Sequence, residues 1–238
     1  MDKISRGGIM KKFIVIGCSV LVLSCLAQPS FALNLKGSNV SGFIGFSSYS
    51  DVSSLNEWVD WINDATSGED MPRLGTGLDI EFHFKYPIYP QVYLGASIGG
   101  TGTTTGTYET SVGNTVGVIT FLGIFGLNGT YLYPLTDALD VYGGGGLGFA
   151  IASTSIDTHD QDSKDYNAAT PVFSLISGLK YDLWWKPWEF IIDINYRIAN
   201  VNTFKDASGV VLWSPYGTQK VTVNYSALAF RFGINYPF

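Results

Sequence analysis

Ser226-Ala227-Leu228-Ala229-Phe230-Arg231-Phe232-Gly233-Ile234-Asn235-Tyr236-Pro237-Phe238 is the stretch that decides the fold. Large apolar side chains fall on alternate residues: Leu228, Phe230, Phe232, Ile234, Tyr236 and Phe238. Ala229, Arg231, Gly233 and Asn235 lie between them. A period of two marks a strand, because successive side chains point to opposite faces. One face is oily without interruption; the other carries an arginine and an asparagine. Hydrocarbon outside and a polar barrel interior suit both faces at once. The competing reading is the last strand of a water-soluble β-sandwich, with its apolar face in the core.

The same alternation recurs along the chain. Leu78, Ile80, Phe82, Phe84 and Tyr86 point one way, and Asp79, Glu81, His83 and Lys85 the other. Phe190, Ile192, Ile194, Tyr196 and Ile198 stand opposite Asp193, Asn195 and Arg197. Eight segments are expected, at about 38–49, 74–86, 91–101, 115–133, 141–153, 172–184, 188–199 and 221–238. Long connections follow the odd-numbered segments, at 50–73, 102–114, 154–171 and 200–220; those after even-numbered segments are short. An even strand number with short turns on one side and long loops on the other is the pattern of an outer-membrane barrel. Greek-key crossings in a sandwich give no reason for it. Tyr86, Tyr89, Tyr131, Tyr133, Trp184, Trp185, Trp188 and Tyr236 gather at the short-turn side, where an aromatic girdle meets an interface.

The N-terminal region carries an export signal. Met10-Lys11-Lys12 precedes an apolar run, Phe13 to Leu26, and then Ala27-Gln28-Pro29-Ser30-Phe31-Ala32. That is a basic region, a short hydrophobic region and a small-x-small site, so residues 1–32 are expected to be a cleaved signal peptide and 33–238 the mature domain. Residues 1–9 add nothing to such a signal, which leaves Met10 as the expected translation start. Cys18 and Cys25 both fall in the leader, so disulfide and thiol chemistry are not expected of the mature chain. Past Ala32 the chain has 10 basic and 19 acidic residues, a net charge of −9. Nucleic acid, which selects a basic surface, is not an expected partner.

Further stretches carry a family resemblance. Val141-Tyr142-Gly143-Gly144-Gly145-Gly146-Leu147-Gly148-Phe149-Ala150, then Ser177-Gly178-Leu179-Lys180-Tyr181, then Phe230-Arg231-Phe232 resemble the small eight-stranded outer-membrane family that includes the OmpA transmembrane domain, OmpX and the opacity-type surface proteins. OmpW, another small barrel, is a near alternative. The resemblance implies an all-β chain: an eight-stranded antiparallel up-and-down transmembrane β-barrel in the outer membrane of a Gram-negative bacterium, among outer-membrane lipid and lipopolysaccharide. The terminal aromatic alternation, Phe230, Phe232, Ile234, Tyr236 and Phe238, is similar to the signature read by the barrel-assembly machinery. An OmpW-like chain would instead form a narrow, apolar-lined channel.

Candidate function divides between lumen and loops. By strand parity Asp79, Glu81, Asp182 and Asp193 point inward, as do Lys85, Lys180, Arg197 and Arg231, with His83 between Glu81 and Lys85. Four acids meet four bases. Unpaired charge inside a narrow barrel is costly, so a balanced set predicts a cross-strand network filling the lumen. A selective pore would show one sign in excess. Narrow conduction for small or apolar solutes is the alternative, because Gly144–Gly148 and Gly95 leave one side thinly filled. No nucleophile pairs recognisably with His83, and no cofactor or metal set is expected. The acids around His159, from Asp157 to Asp165, lack the glycine and closing glutamate of an EF-hand. Catalysis is therefore not expected; the enzyme alternative is a lipid-A-modifying barrel. In the first loop Leu55, Trp58, Val59 and Ile62 follow helical spacing, with Ser54 as a cap, which predicts a short amphipathic helix resting on the barrel rim. Trp58, Trp61, Ile62 and, from the last loop, Trp213 form a candidate patch for an extracellular or host ligand. Loops 1 and 3 are acidic, which predicts divalent cations bridging them to lipopolysaccharide.

Overall fold

Alternation becomes pairing in the computed structural model, which describes residues 36–65, 70–106, 108–109, 115–158 and 161–238. The expected signal peptide with its two cysteines, and Glu69, His159 and Asp160, lie outside the described residues. The strands are β1 (Asn39–Asp51), β2 (Thr76–Tyr89), β3 (Val92–Thr104), β4 (Tyr108–Glu109), β5 (Thr115–Pro134), β6 (Leu139–Thr158), β7 (Gln161–Asp182), β8 (Glu189–Ile198), β9 (Asn200–Val201) and β10 (Val223–Pro237). One helix, α1 (Ser53–Ala65), lies between β1 and β2. Eight strands pair in the order β1-β2-β3-β5-β6-β7-β8-β10, and β10 pairs back onto β1. Every pairing is antiparallel, so the sheet closes into an up-and-down barrel without a free edge. β4 and β9 are two-residue extensions on β5 and β10.

The closing register sets one residue type against its like. Phe46 faces Phe230 and Ile44 faces Phe232 across β1–β10. All four point outward and are about half exposed or more. The belt continues round the barrel through Ile80, Phe82, Leu94, Phe125, Leu127, Leu147, Leu175 and Ile192. Leu127 and Leu147 are 71% and 68% exposed, far from what a soluble surface tolerates over a continuous band. Hydrocarbon is the solvent that makes this face favourable.

Strand lengths differ most from the sequence reading in one stretch, while β2 and β3 each run three residues further than expected. The stretch 154–171, expected as loop, is mostly strand: pairing runs from Ile151↔Ala169 to Ile156↔Lys164. Its polarity misled, because a hairpin standing clear of the bilayer has water on its outer face and needs no oily residues there. The loop between β8 and β10 folds back on this hairpin, with Lys205 and Asn167 exchanging both backbone hydrogen bonds at 2.9 and 2.8 Å.

α1 forms where Leu55, Val59 and Ile62 recur at helical spacing, and all three are at most 2% exposed. Its start differs from expectation. Asp51, not Ser54, receives the free Ser53 N–H, at 2.9 Å. Ser54 lies within the first turn and is buried. The helix also does not rest on the rim. It packs into the long-loop end of the barrel, among the inward-facing Val116, Val118, Leu122 and Ala152 and the residues Val221, Val223 and Tyr225. Asn56 and Asn63, seven apart and so on one face, tie it to the returning chain. Each side chain both donates to and accepts from the backbone, of Leu74 and Met71 respectively. Arg73 adds a two-pronged bond to Asp60.

Candidate functional site

The lumen is built in layers, each fixed by strand parity. Beneath α1 the buried inward residues include Val116, Val118 and Leu122 on β5, Ala152 and Ile156 on β6, and Val223, Tyr225 and Ala227 on β10. Hydroxyls are set among them. Thr120 meets Thr154 at 2.9 Å and also meets the Tyr225 hydroxyl; Tyr49 meets Thr101 at 2.7 Å. Side chains of this kind satisfy one another without net charge, and so step the interior from apolar to ionic.

The charged layer follows. Arg197 reaches Asp79 at 2.9 Å and Glu81 at 3.3 Å, and Ser47 donates to Asp79 at 3.0 Å. Arg231 and Asp193 are direct cross-strand partners in β10 and β8. Their bond is bidentate, Nε to Oδ1 at 2.7 Å and Nη2 to Oδ2 at 2.8 Å. Arg231 also contacts Glu81, and its guanidinium lies 4.7 Å from the Phe43 ring centre. The Tyr142 hydroxyl donates to Asp193 at 2.9 Å, and Lys85 Nζ sits 4.9 Å above the Tyr142 ring. His83 Nε2 is 3.1 Å from Glu81 Oε1. Arginine's planar fork is the group suited to serve several carboxylates in so dry a place.

Close approach of the backbone makes room for these side chains. At Gly45, opposite Arg231, an added Cβ would lie 2.8 Å from Arg231 Cγ and 2.1 Å from the Phe230 carbonyl oxygen. At Gly178 it would lie 2.7 Å from both Asp193 Cβ and the Tyr142 ring. Glycine at these two points is a condition of the network.

The expected set divides when placed. Asp79, Glu81, His83, Asp193, Arg197 and Arg231 come together, with Lys85 at their edge. Lys180 belongs to a separate cluster at the short-turn end, 3.0 Å from Asp140 and 3.1 Å from Glu189. Asn235 bonds Glu189 and accepts from Ser41 there. Asp182 joins neither group; it stands at the turn, 3.9 Å from the exposed Lys186. Asp140 and Glu189 are not legible in the sequence because both abut turns, where the alternation of faces ends. The apolar upper layer also differs from expectation. Its signal was available in Val116 to Phe125, where apolar residues occupy both faces of one strand.

At the long-loop end Trp58 and Trp61 are half-buried, with ring centres 5.7 Å apart, edge to face. Trp58 Nε1 donates to the Trp213 carbonyl at 3.1 Å. Trp213 is exposed, with Lys220 Nζ 6.0 Å from its ring centre, and Tyr216 is exposed too. Ile62 is not part of this surface: it points into the barrel and is 2% exposed. Three of the acids here are engaged singly. Asp51 holds the helix start, Asp60 binds Arg73, and Glu57 accepts from Gln219 at 2.8 Å. Among the described residues no three His, Cys, Asp or Glu side chains converge as a metal group. Asp206 accepts from Ser208 and the Val210 N–H, which hold its carboxyl below the usual carboxylate range. At the other end Trp188, Tyr236 and Phe238 pack edge to face, while Phe230, Phe232 and Ile234 face outward.

A closed eight-stranded barrel with an apolar outer belt and an ionic interior is an integral protein of the bacterial outer membrane. The chain belongs to the outer membrane protein β-barrel family, whose domain model matches residues 18–238. No curated protein matches it in sequence. Among solved structures it is similar to Neisserial surface protein A, with a TM-score of 0.50 and 14% identity, over 85% of this chain and 98% of that one. It is also similar to Ail, the attachment invasion locus protein of Yersinia pestis (TM-score 0.44, 13% identity, 85% and 99% covered). A third is the outer membrane protease OmpT from Escherichia coli (TM-score 0.40, 12% identity, 89% and 99% covered). Identities this low speak to the fold alone. The long-loop end is therefore extracellular and the short turns periplasmic.

Proposed function

We propose that this protein is a non-enzymatic surface barrel, closed across its lumen, that works by presenting its extracellular loops. The observation that carries this is Arg231. A guanidinium with no solvent exposure, shared between Asp193 and Glu81 and packed against Phe43, occupies the middle of the bore. Above it α1 and the apolar layer fill the mouth. Eight strands leave an interior about wide enough for side chains to fill, which agrees with closure. His83 has a carboxylate beside it but is itself buried, which suits a member of the network better than a base working on substrate.

The contact surface in this reading is Trp58, Trp61, Trp213 and Tyr216, where aromatic rings are held by the helix and by loop backbone. Its partner is an extracellular or host molecule. Outer-membrane lipid and lipopolysaccharide surround the belt, and the barrel-assembly machinery reads the face of Phe230, Phe232 and Ile234. Residues 1–32 serve as the export signal.

Reconstitution into planar bilayers tests closure: no steady single-channel current is expected. Regular unitary conductance would instead support the narrow-channel reading. Binding of cells or matrix by the purified protein, lost in Trp213→Ala with the barrel intact, tests the loop role. Deacylation or acyl transfer on purified lipopolysaccharide would overturn the non-enzymatic reading.

A further inference from the structure

Asn128 on β5 and Asn195 on β8 face each other's side of the lumen and are 6% and 1% exposed. Asn195 donates to Glu81 at 3.5 Å, but its Oδ1 has no hydrogen-bond partner among the described residues. Asn128 has none for either Oδ1 or Nδ2. Three buried amide atoms without protein partners are costly unless something else meets them. Both side chains line one small cavity, together with Ser97, Ser174, Glu81 and Arg197. Its volume is about 10 Å3, which is roughly the space of a single water.

Two glycines, Gly126 and Gly148, thin the wall that lines the cavity. A Cβ on Gly126 would stand 3.0 Å from Ser97 Oγ, and one on Gly148 would stand 3.0 Å from Gly126 Cα. Donors and acceptors both line the space, and the neighbouring carboxylate and guanidinium already pair with each other. The ligand must therefore be small, neutral, and able both to donate and to accept.

We infer that the structure holds a dedicated site for one ordered water here, tying Asn128 on β5 to Asn195 on β8 across the bore. This deepens the closed-lumen reading and rests on it: the water is a fixed part of the packed interior, not one of a file crossing it. It meets amide groups that the strands alone leave without partners, on the side of the barrel where glycines replace bulk.

A crystal structure of the refolded protein, at a resolution that shows ordered solvent, tests this. One density peak is expected within about 2.7–3.2 Å of an amide atom of Asn128 and of Asn195 Oδ1. A cavity without density overturns the site and leaves the closed lumen standing. Waters running unbroken to both mouths overturn both. A peak with the short contacts and oxygen-only shell of a metal cation overturns water as the ligand. Asn128→Leu supplies a second measurement. With water in place the asparagine is satisfied, so the urea midpoint in micelles is expected to hold or fall. A rise would mean that the substitution had removed unsatisfied atoms, and would sink the assignment.

Discussion

Arg231 shares its donors between Asp193 and Glu81 and lies 3.8 Å from Asp79. Removing it leaves buried carboxylates in surplus, and the cost of breaking such a set is about 3–5 kcal/mol. Arg231→Ala is expected to lower the unfolding free energy in micelles by that amount, read by urea titration of tryptophan fluorescence. Arg231→Lys should recover only part, since a point charge cannot grip Asp193 with two parallel bonds. A loss no larger than that of a surface substitution would count against the network as a cross-barrel tie. Outside the membrane, Asp206 has its carboxyl held low by Ser208 and the Val210 N–H. A carboxyl depressed on folding stabilises above its unfolded value, about 3.9, and that contribution is lost as pH falls through the lower folded value. Exchange of the Val210 amide, corrected for its intrinsic pH dependence, should therefore quicken only in that acid range. In Asp206→Ala it should be quick at every pH.

At the scale of elements, the strands were legible and the upper lumen was not. Leu78 to Tyr86 and Leu228 to Phe238 alternate because lipid and lumen are opposite solvents, so each residue announces its side. Near the mouth that contrast disappears. Val118 and Leu122 point inward yet are apolar, since what they meet is α1 and not water or charge. Alternation of polarity finds strands only where the two faces differ in solvent. The helix itself was readable from Leu55, Val59 and Ile62, but its seat was not, because an apolar face does not say which cavity receives it. Ile62 consequently counted as surface when it is core. Val59→Asp puts a charge into that seat. It is expected to unseat α1 and open the 70–75 segment to added protease, while the membrane part keeps its strand signature in circular dichroism. Protection equal to that of the unmodified protein would show that the packing beneath α1 is weak.

For the molecule as a whole, two kinds of interior share one wall: an ionic one within the bilayer and an oily one beyond it. Charge pairing crosses the bore between β2, β8 and β10, so strands distant in sequence are fastened through the middle as well as round the circumference. The number of barrel strands and their order followed from the amino-acid pattern. The splitting of the charges into a central network and a lower cluster did not, since parity gives direction and not height. Asp182 and Lys180 share parity with Asp193, yet only distance along the barrel axis decides which charges meet.

The seat of α1 carries a consequence for the order of events. Val116 and Val118 come from the middle of the chain, whereas Val223, Tyr225 and Ala227 come from its last strand. The socket thus does not exist until β10 has found β1. A segment made early must wait, outside and unpacked, while the wall is completed. In stopped-flow refolding of a variant keeping Trp58 as its single tryptophan, the shift of its emission is expected to lag behind the appearance of strand structure. Simultaneous changes would mean that the plug is fitted before the ring is shut.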